Sequence, residues 1–268
     1  MTAIAGSISV ITGGASGIGR GIAEEFLARG STVVIADVEA ERLRGVAAEL
    51  GVEGIHVDVS DADSVENMAA RVEERYGRVD IVVNNAGVGP QARIADLSLT
   101  DWEWLLGVNL YGVINGVRSF LPRLQKNEGG GHIVNTSSMS AFSPLPGLGA
   151  YAVAKSGVGA LTEVLAAELA ADGSNVHATL LVPGSVRTDI ANSLRSKAPA
   201  ESTAFTEFSP SGSVADIRWL EPRDVGKITA RAVEANLFYA ITHPEQGVRV
   251  EAHHAAVLDA FTWWARER

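Results

Sequence analysis

Short apolar runs rich in β-branched residues alternate along the chain with longer segments in which apolar residues recur every three or four positions. The short runs predict buried strands, and the longer segments predict amphipathic helices. We expect strands at 7–12, 32–37, 54–59, 79–84, 132–137 and 176–183, and helices at 18–29, 39–50, 62–76, 101–125 and 150–171. Strands that alternate with helices form βαβ units, so this order predicts a doubly wound α/β fold in which helices cover both faces of a parallel sheet.

The helix predicted at 101–125 has a recognisable start signal. Thr100 and Glu103 fit the T-x-x-E pattern, in which the two side chains bond free backbone N–H groups of the first turn. We therefore expect Thr100 and Glu103 to form a capping box.

Residues 189–221 break the alternation, because they are mixed in composition and weakly periodic. A connection of this length inside a compact domain is usually functional or disordered, and we interpret it as a substrate loop. A helix at 222–236, a short strand at 237–242 and a helical tail at 244–268 are expected to follow. No linker divides the chain, so we predict a single domain over 1–268.

Composition narrows the classes of function. The chain has 268 residues, of which 46% are hydrophobic and 20% charged, so a large core can form. Its net charge of -10 argues against a nucleic-acid partner. It has no cysteine, which excludes disulfides, cysteine nucleophiles and thiolate metal sites. No apolar run is long enough for a membrane span, and no secretory signal is visible, so we expect a cytoplasmic protein without a membrane partner.

Four glycines lie between the first predicted strand and the first predicted helix, at Gly13, Gly14, Gly17 and Gly19. Glycine is unfavourable inside helices and strands, so such a cluster indicates a tight turn or a ligand that comes very close to the backbone. A helix N-terminus offers unpaired N–H groups and a partial positive charge, which suit a phosphate. The sequence favours a phosphate-binding loop and leaves a plain tight turn as the alternative.

Asp37 ends the second predicted strand, eighteen residues beyond Gly19. An acidic side chain at such a position can accept hydrogen bonds from the ribose hydroxyls of an adenosine, and its charge repels a 2′-phosphate. This favours NAD over NADP as the cofactor. Asp37 can also serve as a helix N-cap, and the two roles are compatible.

Tyr151 and Lys155 are four positions apart, so they share one face of the helix predicted at 150–171. A tyrosine at its reference pKa of ~10 is a poor base at neutral pH, whereas a neighbouring ammonium group favours the phenolate. Such a pair can exchange a proton with an alcohol or a carbonyl. Taken alone, a tyrosine and a lysine at this spacing are more typical of two neighbouring side chains on the exposed face of a helix.

Four motifs occur together in the chain: T-G-x-x-x-G-x-G at 12–19, N-N-A-G at 84–87, Y-x-x-x-K at 151–155 and P-G-x-V-x-T at 183–188. Ser138 stands thirteen residues before Tyr151, and Asn109 lies in the sequence GVNLYG. With these motifs in this order, the chain resembles a classical short-chain dehydrogenase/reductase over nearly its full length. The resemblance implies a Rossmann-like fold and hydride transfer between a nicotinamide cofactor and an alcohol or ketone.

The resemblance also implies a role for each matching residue. Tyr151 would be the acid/base, Ser138 would bind the substrate oxygen, and Lys155 would bind the nicotinamide ribose. Asn109 would bind a water that links Lys155 to solvent. The residues expected to bind the cofactor are Gly13, Ser16, Gly17, Ile18, Gly19, Asp37, Asp58, Val59, Asn85, Gly87, Tyr151, Lys155, Pro183, Gly184, Val186 and Thr188.

The substrate prediction combines the resemblance with the residues around the motifs. Segment 107–124 and the tail beyond 220 resemble the subgroup that includes the aryl-alcohol Cα-dehydrogenases of lignin breakdown. The residues expected to line the pocket are Ser138, Met139, Ser140, Leu145, Leu148, Tyr151, Ile190, Leu194 and Trp219. Most are apolar and no arginine adjoins Ser138 in the sequence, so we expect a bulky, hydrophobic aryl or cyclic secondary alcohol or its ketone.

Other interpretations remain open. A 3-oxoacyl thioester reductase would use the same fold and residues. A non-catalytic dinucleotide-sensing protein, or a lyase or epimerase, is also compatible with the fold, although Ser138, Tyr151 and Lys155 are all present. No histidine pair has a familiar metal-ligand spacing, so no metal is expected. Apolar residues on two faces of the helices at 101–125 and 150–171 predict a homodimer or homotetramer.

Overall fold

The computed structural model describes residues 1–188, 202, 204–206 and 218–266. Its strands are β1 (Ile8–Thr12), β2 (Thr32–Asp37), β3 (Glu53–His56), β4 (Ile81–Asn84), β5 (Gly131–Thr136), β6 (Val176–Val182) and β7 (Tyr239–Ile241). Its α-helices are α1 (Gly17–Ala28), α2 (Ala40–Leu50), α3 (Ala62–Tyr76), α4 (Leu99–Leu106), α5 (Gly112–Lys126), α6 (Gly149–Ala171), α7 (Pro222–Glu234) and α8 (Gly247–Arg266).

The seven strands form one parallel sheet in the order β3-β2-β1-β4-β5-β6-β7. The chain moves outward from β1 to β3 and then returns to the other side of β1 through β4. Loops at the carboxyl ends of β1 and β4 therefore separate toward opposite faces and leave a crevice, which is where such sheets bind ligands. The predicted α/β fold with a parallel sheet is confirmed.

Two hydrophobic cores lie on the two faces of the sheet. Ile11 belongs to the core formed with α1, α2 and α7, whereas its neighbour Val10 belongs to the core formed with α3, α5 and α6. Successive strand residues point to opposite faces, so a strand covered on both sides must be apolar throughout. This explains why the β-branched runs are continuous in the sequence.

Glycines allow α1 and α7 to pack at close range. A Cβ atom at Gly21 of α1 would overlap the backbone of Pro222, and one at Gly226 of α7 would overlap the backbone of Gly21. The two helices thus meet backbone to backbone. This contact fixes the first residues of α1, which follow the glycine loop.

The predicted cap of the helix near 101 is wrong by two residues. The N-cap is Ser98, and its capping box is completed by Asp101, whose carboxylate accepts from the Ser98 backbone N–H at 2.9 Å. The segment contains two overlapping capping patterns, and the earlier one is used because Asp101 is buried beside Ser98. Thr100 lies inside the first turn of α4.

The helix predicted as one piece over 101–125 consists of α4, a π-helical turn at Gly107–Tyr111, and α5. The insertion of such a turn shifts the faces of the helix on either side of it. Most of segment 189–221, including Ile190 and Leu194, lies outside the described residues. No helix in the described ranges is long and apolar enough to cross a membrane.

Candidate active site

A cavity of about 760 Å³ opens at the carboxyl ends of the central strands. Its wall is formed by the glycine loop after β1 and by the segments that follow β2, β3, β4, β5 and β6, together with the start of α6. The cavity therefore occupies the crevice that the sheet topology creates.

The glycine loop forms one wall of the cavity through its backbone. Gly13 and Gly17 have φ angles of 65° and 49°, a region that favours glycine. A Cβ at Gly13 would also stand 2.9 Å from the Ala86 Cα. Gly13, Ser16, Gly17 and Ile18 line the cavity as expected for the cofactor site. The loop thus leaves room for a phosphate group against bare backbone.

Gly19 lies behind this wall and does not line the cavity. A Cβ at Gly19 would overlap the carbonyl group of Gly13 and stand 2.6 Å from the Asn85 Nδ2. Its role is to let the loop fold back tightly onto the first turn of α1.

The segment after β4 is tied to the end of β1. The Thr12 hydroxyl accepts hydrogen bonds from the backbone N–H groups of Asn85 and Ala86, at 2.9 and 3.1 Å. The Asn85 amide in turn donates to the Thr12 carbonyl at 3.0 Å. These bonds hold Asn85 and Gly87 in the cavity wall, where both were expected.

Asp37 is buried at the end of β2 and borders the cavity. One carboxylate oxygen accepts from the Ala15 backbone N–H at 3.2 Å, and the other accepts from the Glu39 backbone N–H at 3.1 Å. The carboxylate therefore holds the glycine loop and the residue that precedes α2. Each oxygen keeps further lone pairs for a ligand. Asp58 and Val59, after β3, line the same end of the cavity.

Ser138, Tyr151 and Lys155 come together at the other end of the cavity. Lys155 donates to the Thr136 carbonyl at 2.9 Å, and its Nζ lies 5.8 Å from the centre of the Tyr151 ring. The Ser137 hydroxyl donates to the Lys155 carbonyl at 2.8 Å, which ties α6 to the end of β5. Ser137 and Ser138 thus have separate tasks, as strand alternation predicts.

Burial shifts the pKa values of both titratable groups. Desolvation lowers the pKa of Lys155 to about 8. Desolvation raises the pKa of Tyr151, and the hydrogen bond with Ser138 acts in the opposite direction. Both shifts favour the neutral forms, because the protein interior solvates charge less well than water. At neutral pH the phenol is therefore protonated and the ammonium group is still mostly charged.

Asn109 is buried in the π-helical turn and does not line the cavity. Its side-chain oxygen accepts from the Val88 N–H at 2.9 Å, and its amide nitrogen donates to the Val88 carbonyl at 2.8 Å. The amide thus pairs with both backbone groups of Val88 and holds the segment after β4 against the turn.

Seven of the nine residues expected to bind substrate border the cavity: Ser138, Met139, Ser140, Leu145, Leu148, Tyr151 and Trp219. The remaining two, Ile190 and Leu194, lie outside the described residues. Pro183, Gly184, Val186 and Thr188, expected at the cofactor, also border it. These residues come from distant parts of the chain, and only the folding of the sheet brings them together.

Several lining residues were not predicted from the sequence. Trp104 and Val108 reach the cavity from α4 and the π-helical turn, and Gln246 and Arg249 reach it from the start of the tail. Trp104 packs on Phe205, with 5.4 Å between ring centres. Arg249 lies far from Ser138 along the chain, so the sequence around Ser138 does not reveal it. No short-range motif marks any of these four positions.

Two of the histidines are buried and belong to the hydrogen-bond network of the fold. His132 is buried in β5, where its Nε2 lies 2.7 Å from the Thr179 hydroxyl. His243 is buried before the tail and lies 2.6 Å, through Nδ1, from the Thr242 hydroxyl. Within the ranges that the structure covers, no three His, Asp or Glu side chains are grouped so that they could hold a metal ion.

Comparison with known proteins gives matches over nearly the whole chain. A family model described as short chain dehydrogenase matches residues 7–199. A C alpha-dehydrogenase from a Sphingobium species is 33% identical over 94% of this chain and 86% of its own length. The 3-oxoacyl-acyl-carrier-protein reductase FabG of Thermotoga maritima is 34% identical over 83% of this chain and 88% of its own.

Two further matches differ in extent. The probable oxidoreductase EphD of Mycobacterium tuberculosis is 42% identical over 67% of this chain, but the match spans only 31% of EphD. A short-chain dehydrogenase/reductase from Burkholderia phymatum, solved in complex with NAD, superimposes with a TM-score of 0.87. It is 35% identical and covers 96% of both chains.

Proposed function

The chain belongs to the short-chain dehydrogenase family of oxidoreductases, and from this premise we propose that it interconverts a bulky, mostly hydrophobic secondary alcohol and its ketone with NAD. The alcohol carbon would carry an aryl or cyclic group. One observation carries the proposal: Ser138, Tyr151 and Lys155 meet at one end of a cavity whose other end is built from bare glycine backbone and Asp37.

The residues present fit a dinucleotide. The glycine loop would hold the pyrophosphate, because Gly13 and Gly17 keep side chains away from its N–H groups. Asp37 would accept from the adenosine ribose. Arg42 also borders this end, but the carboxylates of Asp37 and Glu39 outnumber it, which supports NAD over NADP. When bound, NAD supplies the hydride acceptor for alcohol oxidation.

Tyr151 would move the proton that accompanies the hydride. In alcohol oxidation its phenolate accepts the hydroxyl proton, and in ketone reduction its neutral phenol donates a proton to the carbonyl oxygen. The nearby Lys155 ammonium favours the phenolate, which opposes the desolvation of Tyr151. Ser138 would donate a hydrogen bond to the substrate oxygen and stabilise the charge that develops there.

Asn109 enters this scheme as a positioning residue. Its side-chain amide is paired with Val88, so a water that connects Lys155 to solvent would have to use a backbone group of the π-helical turn. Irregular turns of this kind are frequent at functional sites. We propose that Asn109 keeps this turn against the segment after β4.

The lining supports a hydrophobic substrate body. Met139, Leu145 and Leu148 form an apolar wall near Tyr151, and Trp104 and Trp219 add large flat surfaces. Apolar walls with few polar groups suit aromatic or cyclic ligands. The similarity to a C alpha-dehydrogenase supports the same choice. A 3-oxoacyl thioester is the second candidate, supported by the similarity to FabG.

We also propose a homodimer or homotetramer. Tyr111 at the end of the π-helical turn and Val153 and Val164 on α6 are each more than half exposed. The tail helix α8 exposes Phe261 and Trp264 as well. Large apolar side chains that cluster on helix surfaces mark protein interfaces.

The test measures the oxidation of four substrates through the absorbance of NADH. The substrates are an aryl-alkyl alcohol, a cyclic alcohol, a 3-hydroxyacyl thioester and a polyol, and their kcat/KM values are compared. We expect the aryl or cyclic alcohol to be best. Tyr151→Phe should lower kcat by about 10²–10⁴-fold with little change in the Kd for NAD. Tyr239→Phe, a change of the same type at an exposed tyrosine that does not border the cavity, is the control. A kcat/KM for the polyol about tenfold above that of the other three substrates would contradict an apolar substrate site.

A further inference from the structure

Two polar side chains from the start of the tail face the cavity, Gln246 and Arg249. Gln246 ends the short 3-10 helix Pro244–Gln246, and Arg249 lies in the first turn of α8, which continues directly from it. Residues three apart on a helix share a face. The two side chains therefore form one polar surface, which we call the tail clamp.

The tail clamp lies at the catalytic end of the cavity. A Cβ at Gly184 would stand 2.9 Å from the Gln246 Nε2, so the Gln246 amide is packed against the segment after β6. That segment also contacts the residue after Ser138, because the Met139 N–H donates to the Pro183 carbonyl at 2.9 Å. These contacts connect the clamp to the substrate-binding serine and not to Asp37.

Neither side chain of the clamp has a polar partner among the residues that the structure describes. Gln246 is only 7% exposed, yet its amide forms no side-chain hydrogen bond there. The amide borders the cavity without a partner, so it can bond a ligand or a water there. Arg249 is half-buried, and its neighbour Glu245 forms its ion pair with Arg218 instead.

The charges that line the cavity are divided between its two ends. The carboxylates Asp37, Glu39 and Asp58 border the end beyond β2 and β3, where they outnumber the one cation of that end in the described chain, Arg42. At the catalytic end, the charged lining residues of the described chain are Lys155 and Arg249, and Lys155 already donates to a backbone carbonyl. This end therefore attracts an anion.

We propose that the tail clamp binds a carboxylate of the substrate, attached to the apolar body away from the carbinol carbon. A guanidinium group offers two parallel N–H donors that match a carboxylate, and the Gln246 amide adds another donor. The substrate is then an aromatic or cyclic alcohol that carries an acid group. This inference rests on the proposed function for the identity of the reacting alcohol, but the carboxylate site stands on the clamp itself.

The test compares binding of 4-acetylbenzoate and its methyl ester, measured by calorimetry with NAD⁺ present, because a ketone cannot be reduced by the oxidised cofactor. We expect the acid to bind at least about tenfold more tightly than the ester, as a charge-assisted hydrogen bond would provide. Arg249→Gln should remove this preference, and Arg249→Lys should keep part of it. Arg266→Gln, an exposed arginine at the far end of α8, is the matched control and should keep all of it.

Several outcomes would overturn the inference: equal affinities in the wild type, no binding of either compound, or a preference that survives Arg249→Gln. A large loss of NAD⁺ affinity in Arg249→Gln with an unchanged preference would assign Arg249 to the cofactor. Turnover of the same pair separates the two proposals. Preference for the acid without turnover contradicts the proposed function alone, whereas equal turnover and binding contradict only the tail clamp.

Discussion

His132 provides a sharp test of the buried polar network in the sheet. The imidazole is fully buried in β5, and its Nε2 donates to the Thr179 hydroxyl, which in turn donates to the Leu237 carbonyl at 2.7 Å. Its Nδ1 lies 3.1 Å from the Thr2 hydroxyl, and the exposed imidazole of His177 lies beside it. Desolvation, and to a smaller extent His177, lowers the pKa of His132 to about 3.

The magnitude follows from the difference between the folded and unfolded pKa values. Histidine in the unfolded chain has a pKa of ~6.5, so at mildly acid pH His132 is protonated in the unfolded state and stays neutral in the folded state. The stabilisation is complete above ~pH 6.5 and is lost as the pH falls toward the folded value. Between pH 7 and pH 5 the unfolding free energy should fall by about 2 kcal/mol because of His132 alone.

The assay is urea unfolding at pH 7 and pH 5, at one protein concentration, for wild type and His132→Gln. The variant loses the buried hydrogen bonds at both pH values, but the difference between the two pH values should shrink by about 2 kcal/mol. His253→Gln on the exposed surface of α8 is the control and should keep the wild-type difference. If His132→Gln loses as much stability as wild type between the two pH values, the buried neutral imidazole is refuted.

Three further predictions concern the site and its supports. Asp37→Ser combined with Val38→Arg should weaken the binding of NAD and allow NADP to bind. A wild type with a higher kcat/KM for NADP than for NAD would contradict the role of Asp37. Gly19→Ala should abolish measurable NAD binding, because a Cβ there overlaps a backbone carbonyl of the glycine loop. Gly45→Ala is the control and should leave NAD binding unchanged, because a Cβ at this helix position contacts nothing. Equal NAD binding by both variants would refute this packing. Alcohol oxidation should rise with pH and ketone reduction should fall, because desolvation raises the pKa of Tyr151 and oxidation needs the phenolate; oxidation that is independent of pH from 6 to 9 would remove Tyr151 from the proton transfer.

The strands and most helices could be predicted because each is specified by a local pattern. The β2 run ends at Asp37 in the sequence and in the structure, and α3 was predicted with its observed bounds at 62–76. The motifs could be located for the same reason. The glycines after β1 and the pair Tyr151 and Lys155 are close in sequence, so their spacing is readable without the fold.

Local patterns failed where two signals competed or where packing decided. Ser98 and Thr100 both begin capping patterns, and only the burial of Asp101 selects Ser98. The π-helical turn leaves no mark in the periodicity of 101–125. Its Asn109 amide is matched to the two backbone groups of Val88, which approach only after β4 joins the sheet.

The sequence by itself determined the fold class and the family and predicted the residues of the reaction, because these depend on periodicity and on motifs of a few residues. The tertiary structure alone decided which remote side chains share the cavity. Trp104, Gln246 and Arg249 lie in segments far from Ser138 along the chain, yet all border the same space. A parallel sheet brings the ends of all its strands to one edge, so the composition of that edge depends on strand order and on where the tail crosses it. Neither quantity is encoded within a single stretch of sequence.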